Sequence, residues 1–454
     1  MRPSQHRFAL RATVTAARAW GIALLRGVTL AIIAVAPGPT AIGAEGLRLE
    51  STVDRTPVPL RRIVSLDDTV LKVRPAPGEK GSDGERSIRR EDLIALVFAP
   101  PSTGRPPRGT DLLSLTSGDR LRVVSAVSGE ESLSASLAAS STTRLAIPLE
   151  QLRGLLRLAR GTGAAEWSAR LPLADGSSDV ALLQNADRLR GEFLGLSEES
   201  LTFNTAAGET KIAREDVKGI AFSPELLSLR PIPARHAIVQ FRDGSYLTVD
   251  TVRRGAGETD WQLALGDARL AIPEDALRRI AFYSESAASL LSQPLADRRT
   301  VPFLPEVTGA AEAEDSAAPA PSESASASAE SDSFPPPPVL HGHPIPRGLE
   351  AAGRTEWTYD LDPMWTEFRA AANVPDAAGD RGSCVLRIEV DGKAVYESPL
   401  LRPASEDVPT PPVPLQSART LKLVIDYGEF WDVRNRGIWI DPRLIRSAPD
   451  SREK

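Results

Sequence analysis

The chain is expected to be mainly β, with a series of small β units leading into a C-terminal β-sandwich. Three observations carry that expectation. A four-residue pattern recurs between residues 88 and 282, the last hundred residues alternate with a period of two, and an Ala, Ser, Glu and Pro tract lies between these regions. Only a strand has a two-residue side-chain period, so alternation is the direct signature of a half-buried sheet.

Residues 1–44 hold Arg2, Arg7, Arg11, Arg18 and Arg26 and no acidic residue, then the apolar run Gly27–Ala36 and a small-residue end at Gly43-Ala44. That is the layout of a secretory leader with a long basic region. The run is shorter than the roughly 20 residues that span a bilayer, so no transmembrane span is expected once the leader is removed. The whole chain carries a formal charge of −6; without the five leader arginines it is −11, with 49 basic against 60 acidic residues. So acidic a surface disfavours nucleic acid as a partner. Export to the periplasm, the cell surface or the medium is expected. The single cysteine, Cys384, excludes internal disulfides.

The recurring pattern is Ile, an apolar residue five on, another eight on, and an aromatic ten on. It reads Ile88, Leu93, Leu96, Phe98; then Ile147, Leu152, Leu155, Arg157; then Ile212, Val217, Ile220, Phe222; and Ile272, Leu277, Ile280, Phe282. The second copy has lost its aromatic. Glu91-Asp92, Glu215-Asp216 and Glu274-Asp275 suggest that the apolar pair three apart forms one helical turn. Hairpins are expected at Leu113–Val123, Leu183–Phe193 and Val239–Val249. Each copy then makes about four short strands and a turn. Units this small are marginal alone, so they are expected to be SH3-like or Sm-like small β-barrels packed on their neighbours.

Residues 309–338 cannot bury enough apolar surface to offset chain entropy and are expected to be a disordered spacer. Beyond it, Ser383–Val390 sets Cys384, Leu386, Ile388 and Val390 on one face. Asp391-Gly392 turns that strand back into Lys393–Glu397, because Gly reaches positive φ without steric cost. Thr420–Ile425 supplies a further strand, and the Pro-rich stretch 409–414 is restricted to an edge or a connection.

Arg347-Gly-Leu349, Trp357-Thr-Tyr-Asp-Leu361, Phe368–Val374, Gly382-Ser383, Val390-Asp-Gly-Lys393, Glu397–Leu400, Ala418–Val424 and Asp432–Leu444 together resemble the NPCBM/NEW2 family. These are carbohydrate-binding modules with a galactose-binding-like β-sandwich, or jelly roll. Where the family reads Gly-x-His, this chain has Glu350-Ala351-Ala352; its second acidic residue near the end is Asn435 and the polar residue before the Trp is Ile438. The segment Tyr283–Pro305 resembles the strand that opens the family's domain, which makes the spacer an insertion inside the module.

The resemblance implies a polysaccharide or glycoconjugate partner, with other envelope proteins as further partners. A sugar site needs flat apolar faces and polar groups for hydroxyls. Trp357, Trp365, Phe430, Trp431, Arg434 and Asn435 are the candidates. Asp432, Asn435 and Asp441 are the candidate ligands of a structural calcium ion, and no other cofactor is expected. His341 and His343 make an incomplete metal set and are expected to be solvated. No enzyme is expected: the three histidines after residue 44 lie near no nucleophile elbow, reactive cysteine or zinc motif. The alternative to glycan binding is a structural or protein-interaction role for a sandwich that has lost its ligand. The expected organisation is a leader over 1–44, β units over 46–100, 108–160, 177–225 and 233–284, and the sandwich over 285–450 with its insertion at 309–338.

Overall fold

A computed structural model describes residues 46–54, 56–79, 84–99, 111–140, 142–158, 167, 174, 176–301, 336–403, 406–429 and 434–446. The leader, residues 309–335 of the spacer, and Phe430, Trp431 and Asp432 lie outside the described residues. The described chain is β throughout, and its only helical pieces are single 3-10 turns. None of its helices is long and apolar enough to cross a membrane.

Residues 48–283 form four five-strand units of one design. In the first, Arg48–Ser51, Val58–Leu66, Val70–Pro75 and Arg86–Arg89 are followed by the turn Arg90–Asp92 and the closing strand Leu93–Val97. The closing strand returns to pair with the first, and the first four pair in succession. The other units close with Leu152–Arg157, Val217–Ala221 and Leu277–Tyr283, each preceded by a 3-10 turn. In the fourth unit the second strand is broken into Tyr246–Val249 and Thr251–Arg253.

The structure differs from the expected helical reading of the apolar pair. The turn is made by the acidic residues themselves, and both members of the pair lie in the closing strand. Residues three apart should face opposite sides of a strand. Yet Leu93 and Leu96, Leu152 and Leu155, Val217 and Ile220, and Leu277 and Ile280 are all buried in one core. The register explains it: Ser51 faces Leu93 while Glu50 faces Ala95, which leaves Ile94 as an extra residue. The same bulge falls at Arg153, Lys218 and Arg278. One extra residue adds one step to the two-residue period, so a spacing of three restores the same face.

The units join through these closing strands. Val97, Leu96 and Ala95 of the first pair antiparallel with Arg279, Ile280 and Ala281 of the fourth. Gly154, Leu155 and Leu156 of the second pair with Ala221, Ile220 and Gly219 of the third. Phe98 packs edge-on to Trp261 of the fourth unit at 5.5 Å, whereas Arg157, at the equivalent position in the second, donates to the Arg214 carbonyl of the third at 2.7 Å. Trp167 closes over Gly244, whose φ of +90° and lack of a side chain are both required, since a Cβ would stand 2.5 Å from the indole.

Residues 287–445 build two facing sheets. One runs in the order Leu295–Val301, Arg354–Asp360, Thr420–Tyr427, Cys384–Val390, Lys393–Glu397. The other centres on Arg436–Ile445, which pairs with Ala287–Ser289, Gly348–Ala352 and Glu367–Asn373. Chain on both sides of residues 302–335 therefore contributes strands to the same sandwich. Cys384, Leu386 and Ile388 face inward with Phe368, Leu423 and Trp439. Asp391 and Gly392 take φ of +49° and +75°, the twist that a two-residue hairpin needs. The prolines fall on the short edge strands Val408–Pro409 and Val413–Pro414.

Candidate functional site

Two places on the sandwich bring functional side chains together. The first is a corner where strand Gly348–Ala352 ends and strand Arg436–Ile445 begins. Gly353 donates its backbone N–H to the Asn435 carbonyl at 3.1 Å, which ties the turn after Ala352 to the approach of the last strand. Arg434 is exposed, at φ +55°, and its Nη1 lies 3.4 Å from where a Cβ on Gly379 would stand. Asn435 is 1% exposed. Its Nδ2 donates to the Asp426 carbonyl at 3.0 Å, while its Oδ1 is buried with no partner among the described residues. Asn435 thus braces the corner from inside, and Arg434 is the candidate that reaches solvent there.

The aromatic candidates within the described residues lie elsewhere. Trp357 is 2% and Trp365 6% exposed, both in the core between the sheets. Trp357 is the inward residue of an alternating strand, and Trp365, although in a loop, folds under it. Neither offers a ring face to a sugar. Ala352, where the family's histidine would stand, is exposed and pairs with Arg436. Ile438 is fully buried against Leu340, Ile345 and Ile440.

The second place is the junction between the fourth unit and the sandwich, which sequence reasoning missed. Asp441 accepts from Arg279 Nη2 at 2.9 Å, from Arg443 Nε and Nη2 at 3.0 and 2.9 Å, and from the Tyr283 hydroxyl at 2.9 Å. Arg279 also pairs with Glu50 at 3.1 Å, and Arg443 donates to the Phe282 carbonyl at 2.5 Å. Burial alone would raise the Asp441 carboxyl, but Arg443 and Arg279 outweigh it and hold it at about 2. Burial raises the Tyr283 hydroxyl well above its ordinary value. The expectation of Asp441 as a calcium ligand is therefore corrected: two guanidiniums and a phenol already occupy its oxygens. Among the described residues no three His, Cys, Asp or Glu side chains gather as a metal set.

The histidines are not both solvated. His343 is half-buried, and desolvation with Arg278 nearby depresses its imidazole to about 4, so it is neutral. The backbone N–H groups of His341 and Gly342 each donate to the Asp376 carboxylate at 2.8 Å. Cys384 is buried and its thiol is pushed up to about 12 by desolvation, the opposite of a reactive cysteine.

No curated protein matches the chain. Solved structures similar to it include the CBM51 module of Clostridium perfringens GH95 in complex with methyl-galactose, at 21% identity and a TM-score of 0.22, covering 24% of this chain and 77% of that one. Another is CBM51-2 with GlcNAc and INT domains of Clostridium perfringens ZmpB, at 10% identity and a TM-score of 0.26; the overlap covers 46% of this chain and 43% of that one. A third is the tandem CBM51 pair of a family 98 glycoside hydrolase from Streptococcus pneumoniae, at 9% identity and a TM-score of 0.25, covering 59% and 88%. Residues 334–445 match the family model of the NPCBM/NEW2 domain, so the C-terminal part of the chain is similar to that family.

Proposed function

We propose that the chain is an exported, non-catalytic binding protein whose C-terminal module takes a glycan or cell-envelope polysaccharide. The observation that carries this reading is the family match over residues 334–445. The corner around Ala352, Gly379 and Arg434 is the place for the ligand: Arg434 is exposed there and leads directly into the candidate residues 430–432. Four tandem SH3-like or Sm-like repeats over 46–284 present the module, which spans 285–450 with the spacer inserted between its second and third strands. The compartment is the periplasm, the cell surface or the medium.

A second reading, a structural or protein-interaction role, has its own support. Ala352 stands where the family's histidine would, and Trp357 and Trp365 are inside the core. Affinity electrophoresis of chain 45–454 through gels of neutral and acidic polysaccharides separates the two. The glycan reading expects retention that falls at least severalfold in Arg434→Ala. A folded chain retained by no polysaccharide leaves the structural reading.

A further inference from the structure

A cleft of about 380 Å³ lies between the first and fourth units and the sandwich, within the size range of small-molecule sites. Its floor is the sheet where the first and fourth units pair, and its other wall is the Arg436–Ile445 and Glu367–Asn373 strands with the turns at 345–347 and 407–412. Six arginines line it: Arg48, Arg278, Arg279, Arg347, Arg369 and Arg443. Four carboxylates face them, Glu50, Asp54, Asp407 and Asp441.

The carboxylates do not serve all six. Glu50 and Asp441 are taken by Arg279 and Arg443, and Asp54 pairs with Arg86 outside the cleft. Arg369 pairs with Glu367 and donates to the carbonyls of Ser51 and Asp54. Asp407 accepts from Asn373 Nδ2 at 2.8 Å. Arg48, Arg278 and Arg347 have no carboxylate within ion-pair distance among the described residues, although the charge of Asp407 acts on Arg278 from farther off. The Nε atoms of Arg48 and Arg347 are buried without a partner. Arg347 stands over the Tyr283 ring at 5.8 Å. Arg278 is the bulge residue of its closing strand, so the extra residue that keeps Leu277 and Ile280 on one face also sets the direction of this side chain.

Part-buried guanidiniums that form no ion pair carry a desolvation cost, and their fork of N–H donors matches a carboxylate, sulfate or phosphate. We propose that this cleft binds a small ligand bearing one oxyanion, held by Arg278, Arg48 and Arg347. The neighbouring Arg279–Asp441–Arg443 cluster is the fixed wall of the site and stays paired when the ligand enters. The site is separate from the Arg434 corner, and the ligand joins the two layers that form the cleft.

The test is thermal unfolding of chain 45–454 in glucuronate, inorganic sulfate, inorganic phosphate or chloride at equal ionic strength. A ligand bound only by the folded chain raises the midpoint. The expected result is a rise of a few degrees over chloride that disappears in both Arg278→Gln and Arg48→Gln. The ligand-free midpoint of Arg278→Gln is expected to be unchanged or higher, since a part-buried charge that forms no ion pair is removed; a purely structural arginine gives a lower one. A rise with glucuronate alone assigns a carboxylated saccharide, and a rise with all three anions assigns a general oxyanion site. No anion-specific rise in the parent chain, or a rise that survives both substitutions, overturns the proposal. Retention by neutral polysaccharide depends on Arg434 and not on Arg278, so this test and that of the module's glycan binding fail independently.

Discussion

The first and fourth units meet through a main-chain ladder, Ala95 to Val97 against Arg279 to Ala281, whereas the fourth unit meets the sandwich through the side chains of Arg279, Asp441, Arg443 and Tyr283. A ladder uses groups that every residue other than proline carries, so it tolerates change. The second copy shows this: its aromatic position is Arg157, and the second unit still pairs with the third over Gly154–Leu156. The junction has less tolerance, because its buried charges are satisfied by particular side chains, with Asp441 shared by Arg279, Arg443 and Tyr283.

The difference is most sharply broken at Asp441. Asp441→Ala leaves Arg279 and Arg443 facing one another without their shared carboxylate and is expected to cost about 3–5 kcal/mol. The urea midpoint of chain 45–454 should fall accordingly, and an unchanged midpoint would mean that the cluster behaves as a solvated surface pair.

A smaller effect, of opposite sign in the two regions, comes from pH. In the units, burial raises the carboxyls of Asp111, Asp119 and Asp243, the last to about 6 although Ser245 hydrogen-bonds both its oxygens. A raised carboxyl contributes stability that is full below its ordinary value of 3.8 and is lost as pH rises through about 6. Asp441 is the reverse: its contribution is full above 3.8 and is lost as pH falls through about 2. Going from pH 4 to pH 7 should therefore cost about 2–3 kcal/mol at Asp243 and leave the junction cluster unchanged, while the depressed imidazoles of His236 and His343 act in the opposite direction over the same range. Urea unfolding of the parent and of Asp243→Asn across that range tests it: the stability difference between the two should shift by that amount between pH 4 and pH 7, and a constant difference would remove Asp243 as the cause.

The smallest effect is expected on the ladder side. Lys218, exposed at the third unit's bulge, can become Ala with a change within about 0.5 kcal/mol, because the pairing there is made by the backbone. A loss beyond 1 kcal/mol in the same urea assay would show that the bulge side chains, and not the ladder, hold the units together.

Much of the fold was legible locally. The inward parity of Cys384, Leu386 and Ile388, the Asp391-Gly392 hairpin and the edge placement of the prolines all follow from period and turn chemistry. The apolar repeat is visible in the sequence, but its spacing of three does not distinguish a helical turn from a strand with one bulge, since both give the same interval. A clue lay in the bulge position, which holds Ile94, Arg153, Lys218 and Arg278: cations in three of four copies, unusual for a residue between two core positions. The candidate site was less legible. Trp365 sits in a loop, and nothing in its neighbours shows that the loop turns it under the sandwich.

By itself the sequence determined the β class, the strand faces and the resemblance of the last segment to a known family, because these depend on neighbours a few residues apart. Tertiary structure alone decided which polar groups are paired. Asp441 meets Arg279 from 162 residues away, which turns a calcium-ligand candidate into an ion-pair acceptor. The same folding leaves Arg278 in a cleft without a carboxylate of its own. Burial and electrostatic pairing act through space between segments the chain order keeps apart, and no local pattern encodes them.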